Sequence, residues 1–237
     1  MFTITKKSLS VALLMSAFTS LAANATIIDF TSGIAYLQGG GTEVVGLNTL
    51  SSNVDYYEEN GFRLDFIGGV DANDDFDFNV GSVGDYYGVS NGVIHGHWAT
   101  GLYGNLTEIR VSKIDGTAFD LNYFIMTSNT DTGGSVASGA EEAYIHASID
   151  GLTVSSTELL PTDDWGFSGN NPQVFLGSAF DNIKYFSFTV NNAVDCFGMD
   201  NFYIDEPAPV GVPEPTPLAL LGLAFIALGM RRFKSSK

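Results

Sequence analysis

Between Thr26 and Ile204 the chain never keeps an i, i+3, i+4 apolar pattern over the ~12 residues an amphipathic helix needs. Short segments rich in β-branched and aromatic residues recur instead. They are ATIIDFT (25–31), TEVVGL (42–47), GFRLDFI (61–67), NGVIHGHW (91–98), LTEIRVSKI (106–114), AFDLNYFIM (118–126), AYIHASI (143–149), LTVSST (152–157), IKYFSFTV (183–190) and CFGMDNFYI (196–204). Gly, Asn and Asp separate them, and these are the residues that turns favour. Alternation is clearest in KYFSFTV, where Tyr185, Ser187 and Thr189 share one face and Phe186, Phe188 and Val190 the other. SIDGLTV predicts a tight hairpin turn at Asp150-Gly151. The expected fold class is all-β, an antiparallel sandwich, because many short strands must bury one face each against a second sheet.

Charge narrows the function classes. Between Thr26 and Val212 the basic residues are Arg63, Arg110, Lys113 and Lys184, four against twenty-six acidic residues, a net charge of −22. The whole chain carries −17, because the other six basic residues lie near the two ends. Such a domain repels phosphate backbones, so no nucleic-acid partner is expected, and it attracts divalent cations. One cysteine, Cys196, excludes an intrachain disulfide.

The ends read as targeting segments. In residues 1–25, Lys6 and Lys7 precede a mostly apolar run, Leu9 to Leu21, and Ala23-Asn24-Ala25 is an A-x-A cleavage site: the order of a secretory signal peptide. The folded domain is expected over 26–204, and residues 205–216 form a Pro-rich linker. Residues 217–237 are a hydrophobic segment with a basic tail. Pro217 to Met230 carries no charge, and as a helix it would reach roughly 21 Å against roughly 30 Å of hydrocarbon. Arg231, Arg232, Lys234 and Lys237 follow and would hold that end on the cytoplasmic side. A short apolar helix of this kind suits transient membrane association through 217–230 better than permanent anchoring.

VPEP at 212–215 followed by PLALLGLAFIALGMRR resembles the PEP-CTERM sorting signal of Gram-negative bacteria. The resemblance rests on Pro213, Glu214, Pro215, the Gly- and Leu-rich stretch and the Arg231-Arg232 cluster, and covers about the last 26 residues. It implies export across the inner membrane, processing by an exosortase and a destination at the cell surface or in the extracellular matrix, among exopolysaccharide and biofilm. It implies nothing about chemistry in residues 26–211. The domain itself loosely resembles the jelly-roll carbohydrate-binding modules, with IDF early, FDNIKYFSFTV late and MDNFYID closing it. That resemblance implies a structural Ca²⁺ held by Asp29 in the first strand and Asp200 in the last. Asp200 is expected to share strand parity with the inward-facing Phe202 and Ile204.

Other constellations carry less. DANDDFDFN places Asp71, Asn73, Asp75 and Asp77 at alternate positions, as a loop around a hard cation would. Phe76 and Ser82 stand where the EF-hand pattern has Gly and Glu, so the readings are a calcium loop of another kind or a solvated acidic turn. His95 and His97 in HGHW lie two apart on one strand face, with His146 the remaining histidine. They read as a half-exposed strand, with zinc or copper ligation the alternative. Trp98, Trp165, Tyr86, Tyr87 and Tyr103 beside Gly-rich turns could stack on sugars or cap the sandwich ends. No nucleophile elbow and no HExxH occurs, and carboxylate pairs such as Glu58-Glu59 arise by chance in so acidic a chain. The expectation is a non-catalytic surface or matrix protein. The alternatives are a calcium-dependent carbohydrate-binding module that contacts extracellular polysaccharide and, third, a secreted polysaccharide hydrolase.

Overall fold

The structure is a computed structural model that describes residues 25–68, 81–86, 92–101, 104–130, 142–161, 173–191, 194 and 196–206. The segment expected to be a signal peptide, the acidic 71–79 stretch, the Pro-Glu-Pro motif and the apolar tail lie outside the described residues.

The described chain is all-β and makes two antiparallel sheets. The first runs β13 (Gln173–Phe175), β10 (Leu121–Thr130), β15 (Cys196–Ile204), β8 (Val93–His97), β7 (Gly81–Gly84) and β4 (Leu50–Ser52). β1 (Thr26–Ile28) also pairs with β15, along the half that β8 leaves open. The second runs β12 (Ser156–Leu159), β11 (Glu142–Ser148), β14 (Tyr185–Asn191), β9 (Leu106–Lys113), β6 (Phe62–Gly68), β5 (Val54–Glu59), β2 (Ile34–Leu37) and β3 (Thr42–Val44).

Period-2 patterning decides which residues enter the core. Leu64 and Phe66 of β6, Ile109 and Val111 of β9 and Phe186 and Phe188 of β14 form the inner face of the second sheet. Phe124, Met126, Met199 and Phe202 come to meet them from the first. Phe202 packs edge-on against Phe186 at 5.2 Å and lies 5.9 Å from both Phe124 and Phe188. Two glycines permit the close approach of the sheets. Gly81 and Gly96 are direct partners across β7 and β8. A Cβ on Gly81 would sit 2.2 Å from the Phe66 ring, and one on Gly96 2.5 Å from Leu106. The aromatic and aliphatic side chains of one sheet occupy the places that side chains of the other would need.

Several sequence expectations are corrected here. β1 ends at Ile28, short of residue 31, because Phe30 takes a left-handed φ of 58° and Asp29 turns its own backbone. The Asp150-Gly151 turn is not tight: β11 ends at Ser148 and β12 begins at Ser156. The Asp150 carboxylate accepts bonds from the Leu152 and Thr153 N–H groups and from the Ser148 and Thr153 hydroxyls, which builds a longer loop. β8 is not half-exposed, since every residue from Val93 to Gly96 is buried. Five strands, β2, β4, β5, β7 and β13, fall outside the segments picked from the sequence.

Candidate functional site

Asp29, Ser32, Tyr57 and Glu59 meet at one end of the described domain. Tyr57 and Glu59 share the inward parity of β5, so the strand drives a carboxylate into a place where its neighbours are apolar. Glu59 is 4% exposed. It survives there by accepting three bonds: from the Phe30 N–H at 2.9 Å, the Ser32 hydroxyl at 2.7 Å and the Tyr57 hydroxyl at 3.1 Å. Tyr57 in turn accepts a bond from the Gly33 N–H at 3.0 Å. A Cβ on Gly33 would lie 2.4 Å from both the Tyr57 ring and the Glu58 carbonyl, so only glycine lets the chain pass. Burial raises the Glu59 carboxyl above the ordinary carboxylate value. A shared hydrogen bond with Asp29 and its charge raise it further, against the lowering effect of the Ser32 and Phe30 bonds. Burial, with Glu59 beside it, also drives the Tyr57 phenol far up.

Asp29 caps the turn after β1, its Oδ1 accepting bonds from the Thr31 N–H at 3.2 Å and hydroxyl at 2.6 Å. Asp200 sits in β15, 5% exposed. The expected parity of Asp200 does not hold. Ile125 of β10 faces Asp200, but Tyr123 faces Tyr203, so β15 holds an extra residue between them, and Asn201 has a left-handed φ of 44°. This bulge resets the alternation. Met199 and Phe202 both enter the core, while Asp200 lies on the outer side of the sheet, level with the half-buried Ile125. The β1–β15 register ends at Ile28 opposite Phe202, one residue before Asp29. The charge of the Asp29 carboxylate bears on Glu59, which sequence reading passed over as one of many chance pairs. Among the described residues no three His, Cys, Asp or Glu side chains stand close enough together to hold a metal ion. Asp71, Asn73, Asp75 and Asp77 are not among them.

His95 is fully buried and stacks on Tyr86, ring centroids 3.7 Å apart and planes 14° apart. The Tyr86 hydroxyl reaches His97 Nε2 at 3.1 Å. The third histidine, His146, bonds to Thr157 and Thr189 on the other sheet, both at 2.8 Å. Burial, with His97 nearby, holds the His95 imidazole well below its ordinary pKa of 6.5. A neutral buried histidine must gain a proton when the chain unfolds in acid. Stability therefore falls as pH drops below about 6.5, by up to about 1.4 kcal/mol per pH unit for one group. Denaturant unfolding between pH 7.5 and 5 should show this slope, and His95→Gln should flatten it. His146, also lowered by burial, supplies the remainder. A slope unchanged in the variant would show that His95 does not stay neutral.

Of the aromatic residues singled out in turns, Trp98 is fully buried and Tyr86 is committed to His95. Trp165, Tyr87 and Tyr103 lie outside the described residues. The outward aromatic surface is elsewhere. Tyr123 and Tyr203 face each other across β10 and β15 and stack at 3.9 Å, with Phe175 of β13, 57% exposed, 5.3 Å from Tyr123. Register creates this platform from three distant segments, so no local motif announces it.

No protein-family model matches the chain, and no curated protein does. Two solved structures resemble it in part. One is a DUF4465 family protein from Bacteroides caccae, at 13% identity and a TM-score of 0.33 over 64% of this chain and 76% of that one. The other is the K1 cleaved adhesin domain of Lys-gingipain from Porphyromonas gingivalis, at 15% identity and a TM-score of 0.32 over 76% and 96%.

Proposed function

We propose that the chain is an exported, non-catalytic protein of the cell surface or extracellular matrix, delivered by a Pro-Glu-Pro sorting signal that an exosortase processes. The observation that carries this reading is the order of elements after β15. Asp205 and Glu206 close the domain: the Asp205 N–H bonds the Asp120 carbonyl, its carboxylate pairs with Lys113 at 2.8 Å, and the Glu206 N–H bonds Asn122. Only then come Pro213-Glu214-Pro215, fourteen uncharged residues from Pro217 to Met230, and Arg231-Arg232. Every member of the described core lies between Ile28 and Ile204. The test replaces Pro213 and Pro215 with Ala in an exosortase-bearing Gram-negative host. The variant should accumulate in the membrane fraction at its untrimmed mass, while the unchanged chain is shortened and released to the surface. Identical trimming of both would overturn the reading.

A second reading, a jelly-roll carbohydrate-binding module that uses calcium, is favoured by the Tyr123–Tyr203–Phe175 platform, since flat exposed rings are what sugar faces stack on. Calcium would act near Asp29 and Asp200 and at the 71–77 stretch. Co-sedimentation with the producing cell's exopolysaccharide, in calcium and in EDTA, tests both parts. Binding lost in Tyr203→Ala supports the platform, and binding that EDTA abolishes supports the metal.

A further inference from the structure

Three of the four cations of the 26–212 region line a single cleft of about 460 Å³: Arg110 and Lys113 of β9 and the distant Lys184. That volume lies within the roughly 300–1,000 Å³ of small-molecule sites. The cleft lies on the outer side of the second sheet, and strand register builds it. Arg110 stands between Asp65 of β6 and Ser187 of β14, and Ser112 stands between Arg63 and Tyr185. The Asp150 loop supplies a further wall.

The charges in the cleft are not equally committed. Arg110 bonds Glu108 through two nitrogens, at 2.9 and 3.1 Å, and its guanidinium lies 4.7 Å from the Tyr185 ring centre. Lys113 pairs with Asp205 at 2.8 Å. Asp65 is taken by Arg63 at 2.6 Å. Asp150 spends its oxygens on its own loop. Lys184 differs. Its ammonium donates to the Gly116 carbonyl at 2.7 Å, and no carboxylate among the described residues lies within 4 Å of it. An ammonium has three N–H donors, so two remain to point at a ligand. In a domain of net charge −22 an anion is repelled from almost every other face.

We propose that this cleft binds a carboxylate-bearing sugar unit of an acidic polysaccharide, the carboxylate at Lys184 and Arg110 and the ring hydroxyls at Ser112 and Asp65. The proposal rests on the matrix reading above for its biological setting, though not for its chemistry. Acceptors and a hydroxyl beside the cations favour a polyhydroxylated acid over a bare anion. The assignment also answers how so acidic a protein could hold an acidic polymer: it concentrates its few cations in one place.

The experiment is calorimetric titration of the full-length chain in detergent with a galacturonic-acid hexamer, and with maltohexaose as the neutral counterpart, both in EDTA. EDTA separates this site from any calcium-dependent one, and the readout does not depend on sorting. The acidic hexamer should bind and the neutral one should not. Lys184→Gln should weaken binding at least tenfold. Thr42→Glu, which makes the same change in net charge at an exposed position of β3 outside the cleft, should change it less than about twofold. Equal losses in the two variants would reduce the effect to diffuse charge and overturn the site. So would failure of the acidic hexamer to bind. Concentration-dependent self-association of the unliganded chain that disappears in Lys184→Gln would also overturn it, by giving the cleft to acidic residues of a second copy.

Discussion

Phe202→Ala should destabilise the domain by about 3–5 kcal/mol, the range for removing a buried aromatic from a core. The site leaves little room for relaxation. Phe202 is fully buried and touches rings from both sheets: Phe30 at 5.4 Å, Phe186 at 5.2 Å, and Phe124 and Phe188 at 5.9 Å. Three of these contacts are edge-to-face, which adds about 0.5–1.5 kcal/mol per pair beyond area burial. Its neighbour Asn201 is held in a left-handed conformation by the bulge, and that backbone cannot slide to fill the void. At about 2–4 °C per kcal/mol for a domain of this size, the melting temperature should fall by roughly 6–20 °C. Phe202→Leu keeps much of the volume and should cost less than half as much. A loss under 1 kcal/mol in the alanine variant would show that the two sheets do not share this cluster.

What the sequence made legible follows from period. β6 and β14 carry apolar residues at alternate positions over their seven residues, and Ile109 and Val111 of β9 continue the pattern, so the inner face of the second sheet is legible. β15 spans Cys196–Ile204, the whole segment read as a strand. β2, β4 and β7 carry three or four residues each, too few for alternation to stand out. β5, VDYYEE, hides its inward face behind an acidic residue, because Glu59 stands where a strand pattern asks for an apolar one. The bulge at Asn201 is invisible for a related reason. A left-handed asparagine leaves no mark on composition, yet it turned Asp200 to the other side of the sheet from Phe202. The cationic cleft was beyond local reading altogether. Residues 65 and 184 come beside 110 and 113 only once β6, β9 and β14 are placed in register. The Pro213-Glu214-Pro215 motif, the apolar stretch and Arg231-Arg232 are the opposite case, since the pattern they make is contiguous.

Glu59 gives the second large effect, and its sign depends on the replacement. Glu59→Ala leaves the Phe30 N–H and the Tyr57 hydroxyl in a buried place without their acceptor. Each such orphan costs about 1–3 kcal/mol, so a loss of about 2–6 kcal/mol is expected. Glu59→Gln retains an acceptor oxygen and removes the charge that burial and Asp29 both oppose. It should stay within about 1 kcal/mol of the parent at neutral pH. The pH dependence separates a charged role from a merely spatial one. The Glu59 carboxyl is raised in the folded state, so between its unfolded and folded values the native chain holds the extra proton. Its contribution is full below the unfolded value and is lost as pH rises through the folded one. The parent should therefore lose stability on this limb as pH climbs from about 4.5, above the range in which a carboxylate such as Asp150, lowered by its loop bonds, has already gained its share. Glu59→Gln should lack that loss, and urea midpoints from pH 4 to 7 measure the difference between the two curves. If the curves run parallel, Glu59 is ionised throughout and the Asp29 contact does not share a proton. If they diverge with the parent falling, the contact between β5 and the turn after β1 stores a protonated acid, and Glu59 keeps its proton in the folded chain above the pH at which an ordinary carboxylate loses it.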